Sequence, residues 1–308
     1  MSKRTAFITH DDCLKHEMGA HHPERPERLI AIKEKLKATE LQALLIPYEA
    51  PLVKREYLTQ VHTESYVTLL ESSVCDNDYV QLNSDTAMNP YTLSAAKRAA
   101  GAAVLAVDLV MSNEVDNAFC GIRPPGHHAV RNDSMGFCFF NNIAVAAAYA
   151  MNTYHLKRIA ILDFDVHHGN GTEDIFHHDS RVLFCSTFQF PLYPGSGVDS
   201  GNEHIINTPL KSGATGKDFR EAVKSYWLPA LEIFKPELIF ISAGFDAHRD
   251  DHLASLNLLE EDYEWVTQEI KGIADQYCQS RIVSVLEGGY NLKSLADSVA
   301  IHLRALIA

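Results

Sequence analysis

The sequence predicts an α/β fold in which helices cover both faces of a mostly parallel sheet. Short β-type runs alternate along the chain with amphipathic segments of helix length. The runs are largely apolar on both alternating sets of positions, which is typical of strands buried on both faces of a parallel sheet. No linker rich in Pro, Ser or Gly interrupts the 308 residues. We therefore expect a single domain over residues 1–308, near the upper size that one hydrophobic core supports.

Six segments carry the clearest strand pattern and six others the clearest helical pattern. The predicted strands are Thr5–Thr9, Asn117–Gly121, Arg158–Phe164, Arg181–Ser186, Leu238–Ser242 and Arg281–Leu286. The predicted helices are Pro26–Lys37, Leu93–Met111, Asn142–Asn152, Lys217–Phe234, Glu260–Tyr277 and Leu292–Leu306. Helix-length segments between such strands favour parallel pairing, since each crossover then covers one face of the sheet.

Four of these strands run directly into polar, reactive side chains. The segments that follow them are Arg123–His128, Asp163–Gly171, Ala243–His248 and Glu287–Tyr290. In parallel α/β sheets, ligands bind outside the carboxyl ends of the strands. Chance would scatter reactive groups over both edges of the sheet, so this pattern predicts one active site at the carboxyl edge.

The composition limits the partners and the compartment. A formal net charge of −13 argues against a nucleic-acid binder, which needs a basic face. The charge is compatible with a cationic substrate, although solubility alone explains most of it. The longest nearly apolar stretches, Ala99–Val107 and Ile143–Met151, are too short to span a bilayer, and no signal-peptide core is present. We expect a cytoplasmic protein without a membrane partner.

The cysteines exclude some metal sites. They are scattered without a CxxC pair, at Cys13, Cys75, Cys120, Cys138, Cys185 and Cys278. Such cysteines usually serve as small core residues in a reducing compartment. We therefore expect neither a disulfide framework nor a zinc–thiolate site, and any metal must be held by histidine and carboxylate groups.

Asp165, His167 and Asp246 are the candidate metal ligands. Asp165 and His167 are two apart at a strand end, so both side chains point to the same side. Asp246 arrives from a separate strand as a third ligand. Three protein ligands with an open position are typical of a catalytic zinc, although this donor set could also take Fe(II) or Co(II). A DxDxH stretch alone is a weak signal that helix capping or an ion pair could explain.

The tandem histidines His127 and His128 are the candidate general acid and base. They follow a rigid Pro-Pro-Gly turn that exposes the next residues. Hydrolysis by an activated water needs a base with a pKa near neutrality, and Asp163 could fix the tautomer of one ring. Adjacent histidines elsewhere, His177–His178 and His21–His22, are interpreted as surface loops.

Three aromatic residues complete the candidate site. Tyr290 follows two glycines that let its loop bend inward, so its phenol could stabilise an oxyanion. Phe137 and Tyr193 lie in turn-rich segments and could form the walls of a narrow apolar channel. Spacing alone leaves core packing as an alternative for all three residues.

Seven ordered motifs together resemble the zinc-dependent histone deacetylase family, from about Thr5 to Leu306. They are HPERPER at 22–28, RPPGHHA at 123–129, GFCFFNN at 136–142, DFDVHHGNGT at 163–172, YPGSG at 193–197, AGFDAH at 243–248 and LEGGYN at 286–291. The resemblance implies the arginase/deacetylase fold, a three-layer α/β domain with an eight-stranded, mostly parallel sheet. It also implies one catalytic zinc ion and an acetylated protein or peptide as substrate.

The resemblance assigns a role to each matching residue. It makes Asp165, His167 and Asp246 the zinc ligands, His128 the general base and acid, and His127 its electrostatic neighbour paired with Asp163. Tyr290 matches the oxyanion-binding tyrosine. The resemblance assigns substrate contacts to Gly136, Phe137, Tyr193, Leu253 and Asp85. Tyr193 stands where phenylalanine is usual in the family. Arg28 resembles an arginine near an internal acetate channel.

Two further features follow from the resemblance. Asn170 stands at the position where class I deacetylases have an aspartate next to the second histidine. This difference and the LEGGYN loop make the chain resemble class II-type or bacterial class II-like enzymes. Structural potassium is implied, bound by backbone carbonyls near Asp163, Asp165, His167, Ser186 and Thr187. Phe188 replaces a histidine that many relatives carry after that threonine.

Three other functions stay open. An acetylpolyamine amidohydrolase would use the same chemistry, but is expected to place an acid at the tunnel mouth where this chain has Leu253. A ureohydrolase of the arginase type needs a second metal ion and additional acids, whereas Asn170 replaces one candidate. A catalytically silent acyl-lysine binding module would not need every catalytic position to be filled.

Overall fold

The structure, a computed structural model, describes residues 2–74 and 79–308. Its strands are β1 (Thr5–Thr9), β2 (Leu45–Glu49), β3 (Val80–Gln81), β4 (Ala87–Met88), β5 (Asn117–Cys120), β6 (Ile159–Asp163), β7 (Val182–Gln189), β8 (Ile205–Leu210), β9 (Leu238–Ala243) and β10 (Ile282–Leu286). Its helices are α1 (Glu27–Ala38), α2 (Arg55–Leu58), α3 (Glu64–Ser72), α4 (Thr92–Met111), α5 (Asn142–Thr153), α6 (Asn170–Phe176), α7 (Gly216–Ala222), α8 (Leu228–Phe234), α9 (Glu260–Tyr277) and α10 (Leu292–Ile307).

Eight of the strands form one sheet in the order β2-β1-β5-β10-β9-β6-β7-β8. Every neighbouring pair in this sheet is parallel. Helices α1, α10 and α9 pack side by side as one layer, and α4 packs on α5 in the other. The predicted three-layer α/β fold with an eight-stranded parallel sheet is confirmed.

The sheet and the helix layers enclose one cluster of buried apolar side chains. The central strands contribute residues from both faces, such as Ile161, Phe240 and Val283, each 0% exposed. Burial on both faces explains why these strands lack an apolar–polar alternation. The described cysteines, at 13, 120, 138, 185 and 278, are free and buried as expected, while Cys75 lies outside the described residues.

Two strands of the main sheet, β2 and β8, were not among the predicted strands. Both are edge strands, and each pairs with a single neighbour. Edge strands face solvent, so β2 has exposed or half-exposed positions after Leu45, and Ile46 is 36% exposed. Polar and exposed positions within them obscure the continuous apolar run that marks the central strands.

The long predicted helices are all present within one or two residues of their expected ends. The predicted helix Lys217–Phe234 consists of α7 and α8, joined by a π-helical turn at Val223–Trp227. Helices α2, α3 and α6 were not predicted because each is shorter than the window in which helical periodicity is readable. Within the described ranges, no helix combines the length and the apolar character needed to cross a membrane.

Candidate active site

Side chains from four loops meet at the carboxyl edge of the sheet. The loops follow β5, β10, β9 and β6, which are the four central strands. The register pairs Asp163 at the end of β6 with Ser242, and Leu286 at the end of β10 with Ala243. These strands therefore end at the same level, and the predicted convergence of their carboxyl ends is confirmed.

Asp165, His167 and Asp246 form a buried cluster in which one potential ligand atom of each lies within 4.8 Å of the others. Asp165 Oδ1 accepts a hydrogen bond from the His167 backbone N–H at 2.9 Å and lies 3.1 Å from the ring nitrogen His167 Nδ1. Asp246 Oδ1 accepts from the Val166 N–H at 2.9 Å. The structure thus brings together the three candidate metal ligands, as the one group of its kind found within the described residues.

One carboxylate oxygen of this cluster is left without a hydrogen bond. Asp246 Oδ2 is buried and lies 3.2 Å from His167 Nδ1, yet no described residue donates a hydrogen bond to it. The same ring nitrogen lies 3.1 Å from Asp165 Oδ1, so it stands between two carboxylate oxygens. A cation bound by the lone pair of this ring nitrogen and by the two carboxylate oxygens would satisfy all three atoms. The residues present therefore fit a zinc ion.

Two glycines let the backbone approach this cluster. The Gly288 N–H donates to Asp165 Oδ2 at 2.8 Å. A Cβ atom at position 288 would lie 2.0 Å from Asp246 Oδ2, and one at Gly244 would lie 2.0 Å from Asp165 Oδ2. Any larger residue at either position would displace a candidate ligand.

The tandem histidines lie beside the cluster, and each ring is held by a different side chain. His127 Nδ1 lies 2.9 Å from Asp163 Oδ2. His128 Nδ1 lies 2.7 Å from Asn170 Oδ1, and the amide nitrogen of Asn170 contacts Met135 Sδ at 3.2 Å. An amide oxygen only accepts hydrogen bonds, so His128 Nδ1 carries the hydrogen and Nε2 keeps its lone pair.

The surroundings also separate the protonation states of the two histidines. Burial lowers the pKa of His128 well below its usual value, and the charges of His127 and His167 lower it further. Burial disfavours the charged form of His127 as well, but the carboxylates of Asp163 and Asp165 prevail and raise its pKa to about 10. These surroundings therefore favour a charged His127 beside a neutral His128.

A cavity of about 240 Å³ opens onto the cluster. Its walls are aromatic, aliphatic and imidazole side chains with one carboxylate, and the lining residues are Asp85, His128, Gly136, Phe137, His167, Leu192, Tyr193, Leu253 and Tyr290. All the residues that the sequence assigned to substrate contact lie in this lining. A small, mostly apolar cavity of this kind suits a slender chain with a polar group at its inner end.

The loop that carries Gly136 and Phe137 is held against the cavity by backbone hydrogen bonds. The Gly136 N–H donates to Asp85 Oδ1 and the Phe137 N–H to Thr86 Oγ1, both at 3.2 Å. Both residues have positive φ, +55° for Gly136 and +69° for Phe137. The Phe137 ring packs edge-to-face on His22, with centroids 4.6 Å apart.

We expect Gly136→Ala to reduce activity at least tenfold, because the added methyl group must displace His128. A Cβ at position 136 would lie 2.3 Å from His128 Cδ2, in a backbone conformation with φ +55°. Gly213→Ala is the matched control, since Gly213 has φ +84° but no atom within 4 Å of the added Cβ. Both variants should lose about 1 kcal/mol of stability from the positive φ. Only Gly136→Ala should also lower kcat/KM. Equal values of kcat/KM in the two variants would contradict the steric argument.

Tyr193 and Tyr290 both line the cavity with protonated phenols. The Tyr193 ring stands perpendicular to that of His128, with centroids 5.1 Å apart. The Tyr290 ring packs edge-to-face on Phe137 at 6.0 Å. Burial raises the pKa of both phenols, and the charge of Asp85 contributes at Tyr193. At neutral pH each hydroxyl therefore keeps its hydrogen and can donate it to a ligand.

Arg28 is buried against Tyr290 rather than in the cavity lining. Its guanidinium carbon lies 4.9 Å from the centre of the Tyr290 ring. Arg28 Nε donates to the Gly289 carbonyl at 2.6 Å and Nη2 to the Glu287 carbonyl at 2.5 Å, while Nη1 pairs with Glu24 at 3.0 Å. These contacts fix the backbone of the Tyr290 loop, and the predicted place of Arg28 near an acetate channel stays a prediction.

The supporting roles of two residues, His22 and Glu287, were not predicted from the sequence. His22 was interpreted as part of a surface loop, which is wrong in part, because the half-buried ring supports Phe137. Glu287 is fully buried, and its Oε2 accepts hydrogen bonds from the N–H groups of Gly126 at 2.7 Å and His127 at 3.1 Å. Glu287 thus holds the turn that carries the tandem histidines. Its position directly after a buried strand was the available signal.

Comparisons with known proteins agree with this geometry. A family model described as "Histone deacetylase domain" matches residues 22–306. A "Probable deacetylase" of Archaeoglobus fulgidus is 38% identical over 99% of this chain and 86% of its own length. "Histone deacetylase 14, chloroplastic" of Arabidopsis thaliana is 40% identical over 93% of this chain and 73% of its own. The solved HD domain of HDA15 superposes with a TM-score of 0.94 at 34% identity, covering 100% of this chain and 89% of that one.

Proposed function

Because the chain belongs to the histone deacetylase family, a family of hydrolases, we propose that it hydrolyses acetyl-lysine amides in proteins or peptides in a zinc-dependent reaction that releases acetate. The observation that carries this proposal is the buried Asp165–His167–Asp246 cluster at a cavity lined by His128 and Tyr290. The cavity supplies a path for a slender acyl-lysine chain, and the cluster supplies a place for one metal ion.

Asp165, His167 and Asp246 would hold the zinc ion. When bound, zinc supplies Lewis-acid polarisation of the amide carbonyl and lowers the pKa of water. The unpartnered Asp246 Oδ2 and the position of His167 Nδ1 between two carboxylate oxygens support this assignment. Both glycines beside the cluster support it as well, since they leave room for the carboxylates.

His128 would take a proton from the attacking water at Nε2 and pass it to the leaving lysine amine. Asn170 supports this role, since its amide oxygen accepts from Nδ1 and leaves Nε2 with its lone pair. His127, held by Asp163, would supply a fixed positive charge beside the reaction. Tyr290 would donate its hydroxyl hydrogen to the acyl oxygen as negative charge develops there.

The remaining cavity residues would bind the substrate. Phe137 and Tyr193 offer aromatic surfaces to the methylenes of the lysine stem, and Gly136 leaves room beside His128. Asp85 would accept a hydrogen bond from the backbone amide of the substrate. Its Oδ1 already accepts from Gly136 and Thr86, so Oδ2 is the oxygen proposed for this contact.

Leu253 favours peptides over the alternative substrates, acetylpolyamines. A polyamine carries further ammonium groups, which lose hydration at the cavity unless a carboxylate offsets the loss. Leu253 lines the cavity as an apolar residue, and the neighbouring Asp251 is buried and bonded to backbone N–H groups. Position 253 therefore offers a polyamine no carboxylate, and Asp85, the one carboxylate in the lining, is assigned to the backbone amide of the substrate.

We expect a higher kcat/KM for acetyl-lysine peptides than for acetylputrescine or acetylspermidine, measured as acetate release on one substrate panel. Leu253→Glu should shift the ratio of the two kcat/KM values towards the polyamines by about fivefold, the effect of a partly exposed ion pair. Leu52→Glu is the control, because Leu52 is 49% exposed and does not line the cavity.

The outcomes of this panel separate the two substrates. A parent protein that already prefers acetylspermidine would contradict the peptide proposal and support the amidohydrolase. An equal shift in both glutamate variants would mean that the overall acidic field, rather than position 253, selects the substrate.

Further parts of the proposal rest on the resemblance. Structural potassium would lie between the end of β6 and the middle of β7, where Asp163 and Ser186 are paired in register. Arg28 would lie near an acetate path, and a single deacetylase domain would extend over residues 1–308. We propose a cytoplasmic location, while a relative of this chain is named chloroplastic. Its partners would be acetylated proteins or peptides, with no nucleic acid.

A further inference from the structure

The loop that carries Tyr290 is held from two sides. On one side, Arg28 binds the carbonyl oxygens of Glu287 and Gly289. On the other, the carboxylate of Asp251 binds the backbone N–H groups of Tyr290 and Asn291. The loop itself follows β10 and has little regular structure of its own, so these contacts decide where the Tyr290 hydroxyl lies.

Asp251 makes three hydrogen bonds to backbone N–H groups. Its Oδ2 accepts from Tyr290 at 2.6 Å and from Asn291 at 3.1 Å. Its Oδ1 accepts from Leu253 at 3.0 Å. One side chain therefore connects the cavity residue Leu253 with the cavity residue Tyr290, although the two are far apart in sequence.

The chemistry of Asp251 matches this arrangement. The residue is 6% exposed, and none of the ion pairs between described residues includes its carboxylate. Its charge is instead offset by the three N–H groups, which form the stronger, charge-assisted class of hydrogen bond. A buried carboxylate without a cationic partner is costly to keep, so a specific use for it is expected.

The burial of the Asp251 carboxylate is not explained by capping of helix α10. The start of α10 is capped by Asn291, whose side-chain oxygen accepts from the N–H groups of Lys293 and Ser294, both at 3.1 Å. The Asn291 amide nitrogen donates to the Asp250 carbonyl at 3.0 Å. The helix therefore has its own cap, and the short bond from Asp251 to Tyr290 serves the loop before it.

We propose that Asp251 is a positioning residue for the reaction, which fixes the Tyr290 phenol at the acyl oxygen and sets Leu253 at the cavity in the same contact. This inference rests on the proposed function, because it acts through the role of Tyr290. Asp251 does not line the cavity, yet it would influence kcat through the position of Tyr290. One carboxylate thus holds both Leu253 at the cavity and the loop of Tyr290.

The test compares Asp251→Asn with Asp250→Asn in the full chain loaded with zinc. Asparagine keeps the size of Asp251 but offers one acceptor oxygen, so its NH₂ group must face either Leu253 or the Tyr290 loop. We expect kcat to fall by about tenfold to a hundredfold, as for a catalytic group displaced by roughly 1 Å. Asp250 is the matched control, since its side chain is 57% exposed and its contact to Asn291 uses the backbone carbonyl. Its variant should stay within about twofold of the parent kcat.

A double-mutant cycle with Tyr290→Phe distinguishes positioning from a general loss of structure. If Asp251 acts through the phenol, Asp251→Asn should lower kcat much less when residue 290 is already phenylalanine. Independent, multiplying losses would overturn the inference while leaving the proposed function intact. A Tyr290→Phe enzyme with normal kcat would instead contradict the role of Tyr290 in the proposed function.

Bound zinc and Tm, measured on each variant, show whether the variant is folded. If Asp251→Asn does not fold, Asp251→Ser replaces it, because the smaller hydroxyl leaves room for water beside the N–H groups. A folded, zinc-loaded variant of either kind with parental kcat would overturn the inference. Reduced kcat with unchanged zinc content and non-additivity with Tyr290→Phe would support it.

Discussion

Asp246→Ala should give a folded protein that retains little metal after dialysis and has almost no deacetylase activity. Asp246 supplies one of three candidate ligands, and its Oδ2 is the atom left without a hydrogen-bond donor among the described residues. Two remaining ligands would hold zinc weakly. We expect activity to fall by roughly a thousandfold or more, since several kcal/mol of transition-state stabilisation depend on the ion.

Metal analysis and thermal unfolding check this expectation separately from activity. Added zinc should raise the Tm of the parent protein, because the ion binds only the folded state, and this rise should be absent in Asp246→Ala. Asp250→Ala removes an exposed acid from the same loop and should keep both the rise in Tm and the metal content. Two metal equivalents per chain at full activity would favour a ureohydrolase-type site instead.

Tyr290→Phe should lower kcat by about a hundredfold or more while metal content and KM change little. The phenol would donate to the acyl oxygen only as charge develops, so its loss affects the transition state more than the bound substrate. Phenylalanine keeps the ring contacts of Tyr290 with Phe137 and with the Arg28 guanidinium. The geometry of the cavity should therefore be preserved.

Tyr263→Phe is the control for removing a buried phenol oxygen. Tyr263 is 0% exposed, packs on Phe164 and Phe245, and has a hydroxyl without a hydrogen-bond partner among the described residues. It does not line the cavity, so its kcat should stay near that of the parent. Near-normal turnover of Tyr290→Phe in single-turnover and steady-state assays would mean that other groups bind the oxyanion.

The sequence was most informative where burial is complete. Central strands such as β6 and β9 are apolar on both faces, and the reactive residues after them stand in one short segment each. The carboxyl ends of parallel strands lie at one edge of a sheet. The sequence alone therefore predicted that residues as distant along the chain as His127 and Tyr290 lie close together. The edge strands β2 and β8 carry a weaker signal, because a proline and polar or exposed positions interrupt the apolar run in each of them.

Two of the residues whose roles were missed, Glu287 and Asp251, act through backbone groups. Glu287 binds the N–H groups of Gly126 and His127, and Asp251 binds those of Tyr290 and Leu253. Every residue except proline carries the same backbone N–H group, so no spacing or motif in the sequence indicates which carboxylate will accept its hydrogen bond. Loop conformation decides these contacts, and it depends on the completed fold.

The order of the strands has a consequence for how the protein forms during synthesis. β10 follows every other strand of the main sheet along the chain, yet it lies in the middle of that sheet, between β5 and β9. Until it is translated and inserted, two apolar strands expose unpaired edges, which are the sites where nascent chains associate wrongly. The same insertion brings the Gly288 N–H to Asp165. The hydrogen bond that holds Asp165 in the cluster therefore forms only after nearly all of the described fold has been synthesised, and until then β5 and β9 each have an unpaired edge.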